Sequence, residues 1–368
     1  MIFNTLQTYN RPASTRIMAL CLFALNIISL ICIYSALNQG GIMERGQIFH
    51  RQIIWITISW AALFIVSHIS YRIYFDLAYV FFGFNILLLL IVDIMGASAM
   101  GAQRWLSFGG FNFQPSELCK VATIFLLARL FSRNEATGFI KGVIQPLIII
   151  IIAALLIFKQ PDLGTALVVI FLFFAMGLSS KLKKRYFIIL IVAGMSMVPL
   201  AWHTLKDYQK KRIIVFVNPN TDPLGAGYNI IQSKIAIGSG RLVGKGFLSG
   251  TQNQLNFMPE RHTDFIFTVL AEEWGFIGGM LLLMIYWLFL NKALDIAMFA
   301  KDEFGRLMAV GMASLFFIHV FVNMGMTLGI LPVVGIPLIF MSYGGSNLLI
   351  NSMLVGILTN ICRQSRGV

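Results

Sequence analysis

Charge is what this sequence has least of: Asp, Glu, Lys and Arg make up 12% of its 368 residues, against 58% hydrophobic ones. That shortage excludes a soluble globular protein of this length, whose surface would need far more polar side chains. Acids are the scarcer sign, 15 against 28 Lys and Arg, for a net charge of +13. Cysteine is nearly missing too. Cys21, Cys32, Cys119 and Cys362 are scattered without CxxC spacing, which argues against a disulfide scaffold or a cysteine metal site. No cleavable signal peptide is expected, because the apolar stretch from Ile17 is too long and lacks a small-residue cleavage site. A phosphate loop is absent as well. GSGRLVGKG at 238–246 departs from GxxxxGK[ST], with Gly240 one residue too close and Gly246 in place of Ser/Thr.

What the sequence does have is apolar runs of about 20 residues, each long enough for a bilayer core of roughly 30 Å. They fall near 17–36, 53–70, 74–95, 115–132, 143–159, 163–180, 186–204, 264–291, 306–330 and 346–362. Backbone in lipid must satisfy its own hydrogen bonds, so these runs predict helices. The expected fold is an all-α polytopic membrane protein of about ten transmembrane helices, one domain over residues 1–368. With the N-terminus inside, the short inner segments carry fourteen Lys and Arg and the short outer loops four, Arg45, Arg51, Arg104 and Lys159. That asymmetry places both termini in the cytoplasm. It also makes 205–263 a large extracytoplasmic loop between the seventh and eighth spans. The positive charge therefore reports orientation, and no nucleic-acid partner is expected.

The unusual polar residues gather on the predicted outer side. Glu117 and Lys120 share a helix face at i,i+3 in the fourth span, where a lone charge is expensive and usually pairs. A structural ion pair and a polar cavity wall both fit them. Asp162 at the start of the sixth span reads as an N-cap. Asp264 could cap the eighth span, yet Asp264, Thr268 and Glu272 are spaced by four and form a polar stripe reaching inward, which a cap does not need. Lys210, Lys211 and Arg212 form a basic run just beyond the seventh span. NIIQSKIAI at 229–237 is amphipathic enough to lie among headgroups, and the glycine-rich turn after it presents Arg241 and Lys245.

Several long stretches then resemble one family. PLGAGYNIIQSKIAIGSG, FMPERHTDFIFTVLAEEWG and GILPVVGIPLIFMSYGGSN look like signature segments of the SEDS proteins (shape, elongation, division and sporulation), nearest the RodA or elongation branch. QRWLSFGGFNFQPSEL, which contains Trp105, and KQPDLGTA extend the likeness over nearly the whole chain. The resemblance implies a peptidoglycan glycosyltransferase of the bacterial cytoplasmic membrane that polymerises lipid II at the outer face during elongation. It implies a class B penicillin-binding protein as crosslinking partner within an elongation complex. It also implies that Asp264 is the essential aspartate, and that Glu117 and Lys120 are the acid and base of the fourth-span motif.

Glycan synthesis needs a base to take the proton of an acceptor hydroxyl while a diphosphate leaves the anomeric carbon. A carboxylate such as Asp264 suits that role, worth about 10²–10⁴-fold. Arg261 or Lys245 would stabilise its charge. The diphosphate calls for cations, from Arg/Lys (Arg212 among them) or from a divalent ion such as Mg or Mn. Trp105, Asp162, Thr268 and Glu272 complete the cavity candidates. The alternatives are a lipid II flippase, against which the lack of an internal repeat counts, and a non-catalytic scaffold, which leaves the polar stripe unexplained.

Overall fold

The structure, a computed structural model, describes residues 11–37, 42–99, 102–108, 111–133, 138–197, 199, 203, 207–223, 225–254 and 262–365. Apolar sequence becomes helix almost throughout: α1 (Arg11–Ala36), α2 (Ile42–His68), α3 (Ile73–Met95), α4 (Pro115–Ser132), α5 (Gln145–Lys159), α6 (Leu163–Ser179) and α7 (Lys184–Ser196). Two amphipathic helices follow, α8 (Asp207–Val217) and α9 (Ala226–Gly240), then α10 (Ile266–Met298), α11 (Glu303–Thr327) and α12 (Gly345–Gln364). Among the described residues seven helices are long and apolar enough to cross a membrane. The expected count of about ten is not reached by that measure. α6 is a shorter apolar helix, α7 has 13 residues, and α4 carries Glu117, Lys120 and Arg129. The predicted seventh span, 186–204, runs partly outside the described residues.

One addition to the all-α bundle was not foreseen. Between α3 and α4 the chain forms a small antiparallel sheet, β1 (Ala97–Ala99), β2 (Ala102–Phe108) and β3 (Phe111–Phe113), in the order β1-β2-β3.

α4 is the centre of the bundle. Nearly all its residues are buried, against α3, α6 and α11. This solves the problem of its charges, since no side chain there need face lipid. Arg129 donates to the carbonyl of Asp76 at 2.9 Å and stacks over the rings of Phe75 and Tyr79 at 4.7 and 4.4 Å.

The connection from α11 to α12, residues 328–344, is irregular backbone whose later part, from Ile336 to Ser342, is sunk into the bundle. Such backbone is tolerated at membrane depth only when protein covers it. Phe340 plugs it in, packed on Phe289 and Phe316 at ring separations of 5.4 and 5.8 Å. Tyr286 donates to the carbonyl of Ile339 at 2.6 Å, and Ser29 to that of Met341 at 2.6 Å.

α10 is not one helix in its backbone. At Gly275 the torsions (φ 67°, ψ −161°) leave the helical region, and the amides of Phe276 and Ile277 instead take the carbonyls of Arg241 and Leu242 at 2.9 and 3.1 Å. A side chain at 275 has no room, since its β-carbon would stand 2.3 Å from the amide nitrogen of Gly244.

Candidate active site

Four elements meet at one end of the bundle around the 328–344 segment. The first is the start of α4. Lys120 Nζ donates to Glu117 Oε1 at 2.7 Å, so the i,i+3 spacing does produce a pair, and both side chains are buried. The pair is embedded in a larger network. Asn347 of α12 donates to the other Glu117 oxygen at 2.9 Å, and Lys120 Nζ lies 3.0 Å from Nε2 of His319 on α11. An ammonium only donates, so Nε2 accepts and the imidazole proton is assigned to Nδ1, which faces the carbonyl of Pro337 at 3.2 Å.

The second element is the start of α6. Asp162 caps it, accepting from the Thr165 amide at 3.2 Å and the Thr165 hydroxyl at 3.0 Å. It also accepts from Gln114 at 3.2 Å and Ser116 at 3.4 Å, which ties α6 to the first turn of α4. Gly164 then presses on the connecting segment; a β-carbon there would sit 2.7 Å from the carbonyl oxygen of Val334.

Asp264 is the third element, in the turn before α10, and it is half-buried. The residue at the N-cap position of α10 is Phe265, one beyond Asp264. The turn is strapped to the connecting segment. Tyr343 N donates to the carbonyl of His262 at 2.9 Å, and Ser342 to that of Thr263 at 2.6 Å. Asn323, from the fourth element α11, donates from one amide nitrogen to the carbonyls of both Asp264 and Ile336, each at 2.8 Å. The carboxylate lies beside Gly335, in the left-handed region (φ 74°), where a β-carbon would stand 3.5 Å from Asp264 Oδ2. Asp264 thus meets this backbone directly at Gly335, Gly164 of the helix capped by Asp162 meets it at Val334, and Lys120 reaches it through His319 at Pro337.

The other predicted residues are placed elsewhere. Thr268 is buried against Ser233 of α9 at 2.9 Å, and Ser233 reaches on to the carbonyl of Thr327 at 2.6 Å. Glu272 Oε1 accepts from Lys245 Nζ at 2.8 Å, from the Thr251 hydroxyl at 3.2 Å and from the Gln252 amide at 3.0 Å. The stripe Asp264–Thr268–Glu272 exists, but its inner two members seat the preceding segment on α10, and Lys245 is committed to Glu272 rather than to Asp264. α9 accordingly packs on α10. Arg212 stands on α8, which packs against α9. Trp105 stands on β2 next to Arg104, whose Nε donates to the carbonyl of Gln160 at 3.0 Å. Arg261 lies outside the described residues. A cleft of about 300 Å³ lined by Arg72, Phe75, Asp76, Asp302 and Phe304 is at the opposite end of the bundle, remote from this chemistry.

His319, Asn323 and Asn347 were missed in the sequence. The signal was available for two of them: His319, Asn323 and Thr327 recur every fourth residue in an apolar helix, the same spacing that singled out Asp264, Thr268 and Glu272.

Comparison with known proteins adds the family. Residues 15–367 match the FtsW/RodA/SpoVE cell cycle proteins. The peptidoglycan glycosyltransferase MrdB of Escherichia coli (strain K12) is 45% identical over 352 residues, 94% of this chain and 92% of that one. The peptidoglycan glycosyltransferase RodA of Treponema pallidum (strain Nichols) is 32% identical, covering 94% of this chain and 96% of its own. Among solved structures, a chain of a peptidoglycan synthase complex that coordinates polymerization and crosslinking superposes with a TM-score of 0.80 at 32% identity, over 95% of this chain and 98% of that one. The rod shape determining protein RodA of Thermus thermophilus gives 0.72 at 27% identity, over 95% and 97%. Taken with the bundle and its buried polar network, these place this multi-pass membrane protein in the FtsW/RodA/SpoVE family.

Proposed function

We propose that this chain is a RodA-type peptidoglycan glycosyltransferase that polymerises lipid II, with Asp264 as the general base. Family membership supports the activity. The observation that supports the base is the placement of Asp264: its half-buried carboxylate lies against Gly335, and its backbone carbonyl is held by Asn323, which also holds Ile336. Asp162 caps α6 and Glu272 pairs with Lys245. In the reaction the Asp264 carboxylate takes the proton of the acceptor hydroxyl. That oxygen bonds to the anomeric carbon of the donor, and the prenyl diphosphate departs with the bonding electrons.

The active site faces the outside of the bacterial cytoplasmic membrane in this reading, with 205–263 as an extracytoplasmic segment of a single domain. The Lys and Arg asymmetry supports it. A class B penicillin-binding protein is the proposed partner, supported by the likeness to the synthase complex. Charge on the diphosphate falls to Arg261 or to a divalent cation. Among the described residues no three His, Cys, Asp or Glu side chains converge. Such an ion would arrive with the diphosphate, since Mg²⁺ is commonly held by one or two carboxylates plus substrate phosphates.

Purified protein with labelled lipid II tests the assignment. Wild type should make glycan strands, and Asp264→Asn should fold and bind lipid II yet lose about 10²–10⁴-fold in rate. An Asp264→Asn variant polymerising near the wild-type rate would remove Asp264 from the role.

A further inference from the structure

Four consecutive residues of the segment between α11 and α12 each meet a different part of the site. Val334 meets Gly164 of α6, Gly335 lies against the Asp264 carboxylate, Ile336 accepts from Asn323, and Pro337 accepts from His319. His319 is fully buried, and both of its ring nitrogens are used. One end holds Lys120, the other holds backbone two residues from Gly335.

We propose that His319 is a positioning residue: it couples the buried Glu117–Lys120 pair to the backbone that sets the placement of Asp264. The proposal rests on the glycosyltransferase reading above. His319 touches no reacting atom. Lys120 Nζ is held between Glu117 Oε1 and His319 Nε2, while Asn347 holds the other Glu117 oxygen, so the orientation of the ammonium depends on His319. Its Nδ1–H fixes Pro337, whose ring already restricts the backbone, and Asn323 one turn along α11 fixes Ile336. With both held, Gly335 has little freedom to drift relative to Asp264, and misplacement of a reacting group by about 1 Å costs about 100-fold in rate.

The two ends can be tested separately in the full-length protein. His319→Asn puts an amide donor near the position of Nδ1 and removes the acceptor for Lys120. His319→Gln extends an acceptor towards Lys120 and removes the donor to Pro337. Each variant is to be assayed for thermal unfolding in detergent and for kcat and KM on labelled lipid II, counted per folded molecule. We expect both to fold, with kcat down about 100-fold and KM little changed in at least one of them. Nitrogen-15 NMR of the wild-type imidazole should show a neutral ring with its proton on Nδ1. Wild-type kcat per folded molecule in both variants, even with lowered thermal stability, would make His319 a packing residue and overturn the proposal. A ring protonated on Nε2 alone would overturn it equally. A wild-type protein making no glycan would instead strike the glycosyltransferase reading.

Discussion

Removing the charge of Lys120 should harm the fold more than removing the charges of Lys120 and Glu117 together. The two side chains are 3% and 6% exposed and 2.7 Å apart, so neither charge can turn to water when its partner goes. Lys120→Met leaves the Glu117 carboxylate with Asn347 and no counter-charge, and Glu117→Gln leaves the Lys120 ammonium with His319 and no counter-charge. Breaking a buried pair on one side costs about 3–5 kcal/mol. In the double variant no charge is stranded. The amide introduced by Glu117→Gln can still accept from Asn347, and only His319 Nε2 loses its donor, a deficit of about 1–3 kcal/mol. Unfolding of the four proteins in detergent micelles closes the double-mutant cycle. Independent sites would add to about 6–10 kcal/mol, whereas the structure requires the double variant to be no less stable than either single. A double variant destabilised by the sum of the singles would refute the pairing.

The other two expectations concern orientation and the segment before α10. A reporter active only outside the membrane should respond when fused near Gly250 and stay silent near Lys183; the reverse pattern would invert the proposed active-site face. Glu272→Ala removes the carboxylate oxygen shared by Lys245, the Thr251 hydroxyl and the Gln252 amide, so hydrogen exchange across 241–254 should accelerate while that of α4 does not. Unchanged exchange there would mean that Glu272 does not hold the segment.

Local rules carried the sequence reading a long way. Hydropathy placed α1 to α6 and α10 to α12, because helix length in lipid is set by thickness alone. It missed the polar first turns of α2, which starts at Ile42, well before its apolar run. The Glu117–Lys120 pair followed from helical spacing, and the Asp162 cap from the chemistry of a first turn. The stripe below Asp264 was legible, but not what it packs against. Periodicity says which residues share a face, and only the tertiary fold says that this face receives Ser233 and Lys245. The meeting of Gly164, Asn323 and His319 on residues 334–337 was likewise invisible, since it is made at backbone carbonyls that no residue type announces. The break at Gly275 was hidden inside an apolar run that reads as one continuous helix.

That break has a consequence for how the protein can be rebuilt. The amides of Phe276 and Ile277 have left the ladder of α10 and depend on the carbonyls of Arg241 and Leu242, while the amides of Lys245 and Gly246 bond in turn to the carbonyls of Glu272 and Glu273. Two stretches far apart in order of synthesis therefore complete each other's backbone. Residues 241–246 are not an interchangeable cassette on the rim of a finished bundle. A chimera that replaced them with a foreign linker of equal length would leave peptide groups of α10 unanswered in an apolar surround, where each costs several kcal/mol. Grafts between relatives should therefore take their junctions upstream of α9 and carry α9, the glycine-rich turn and α10 together as one piece.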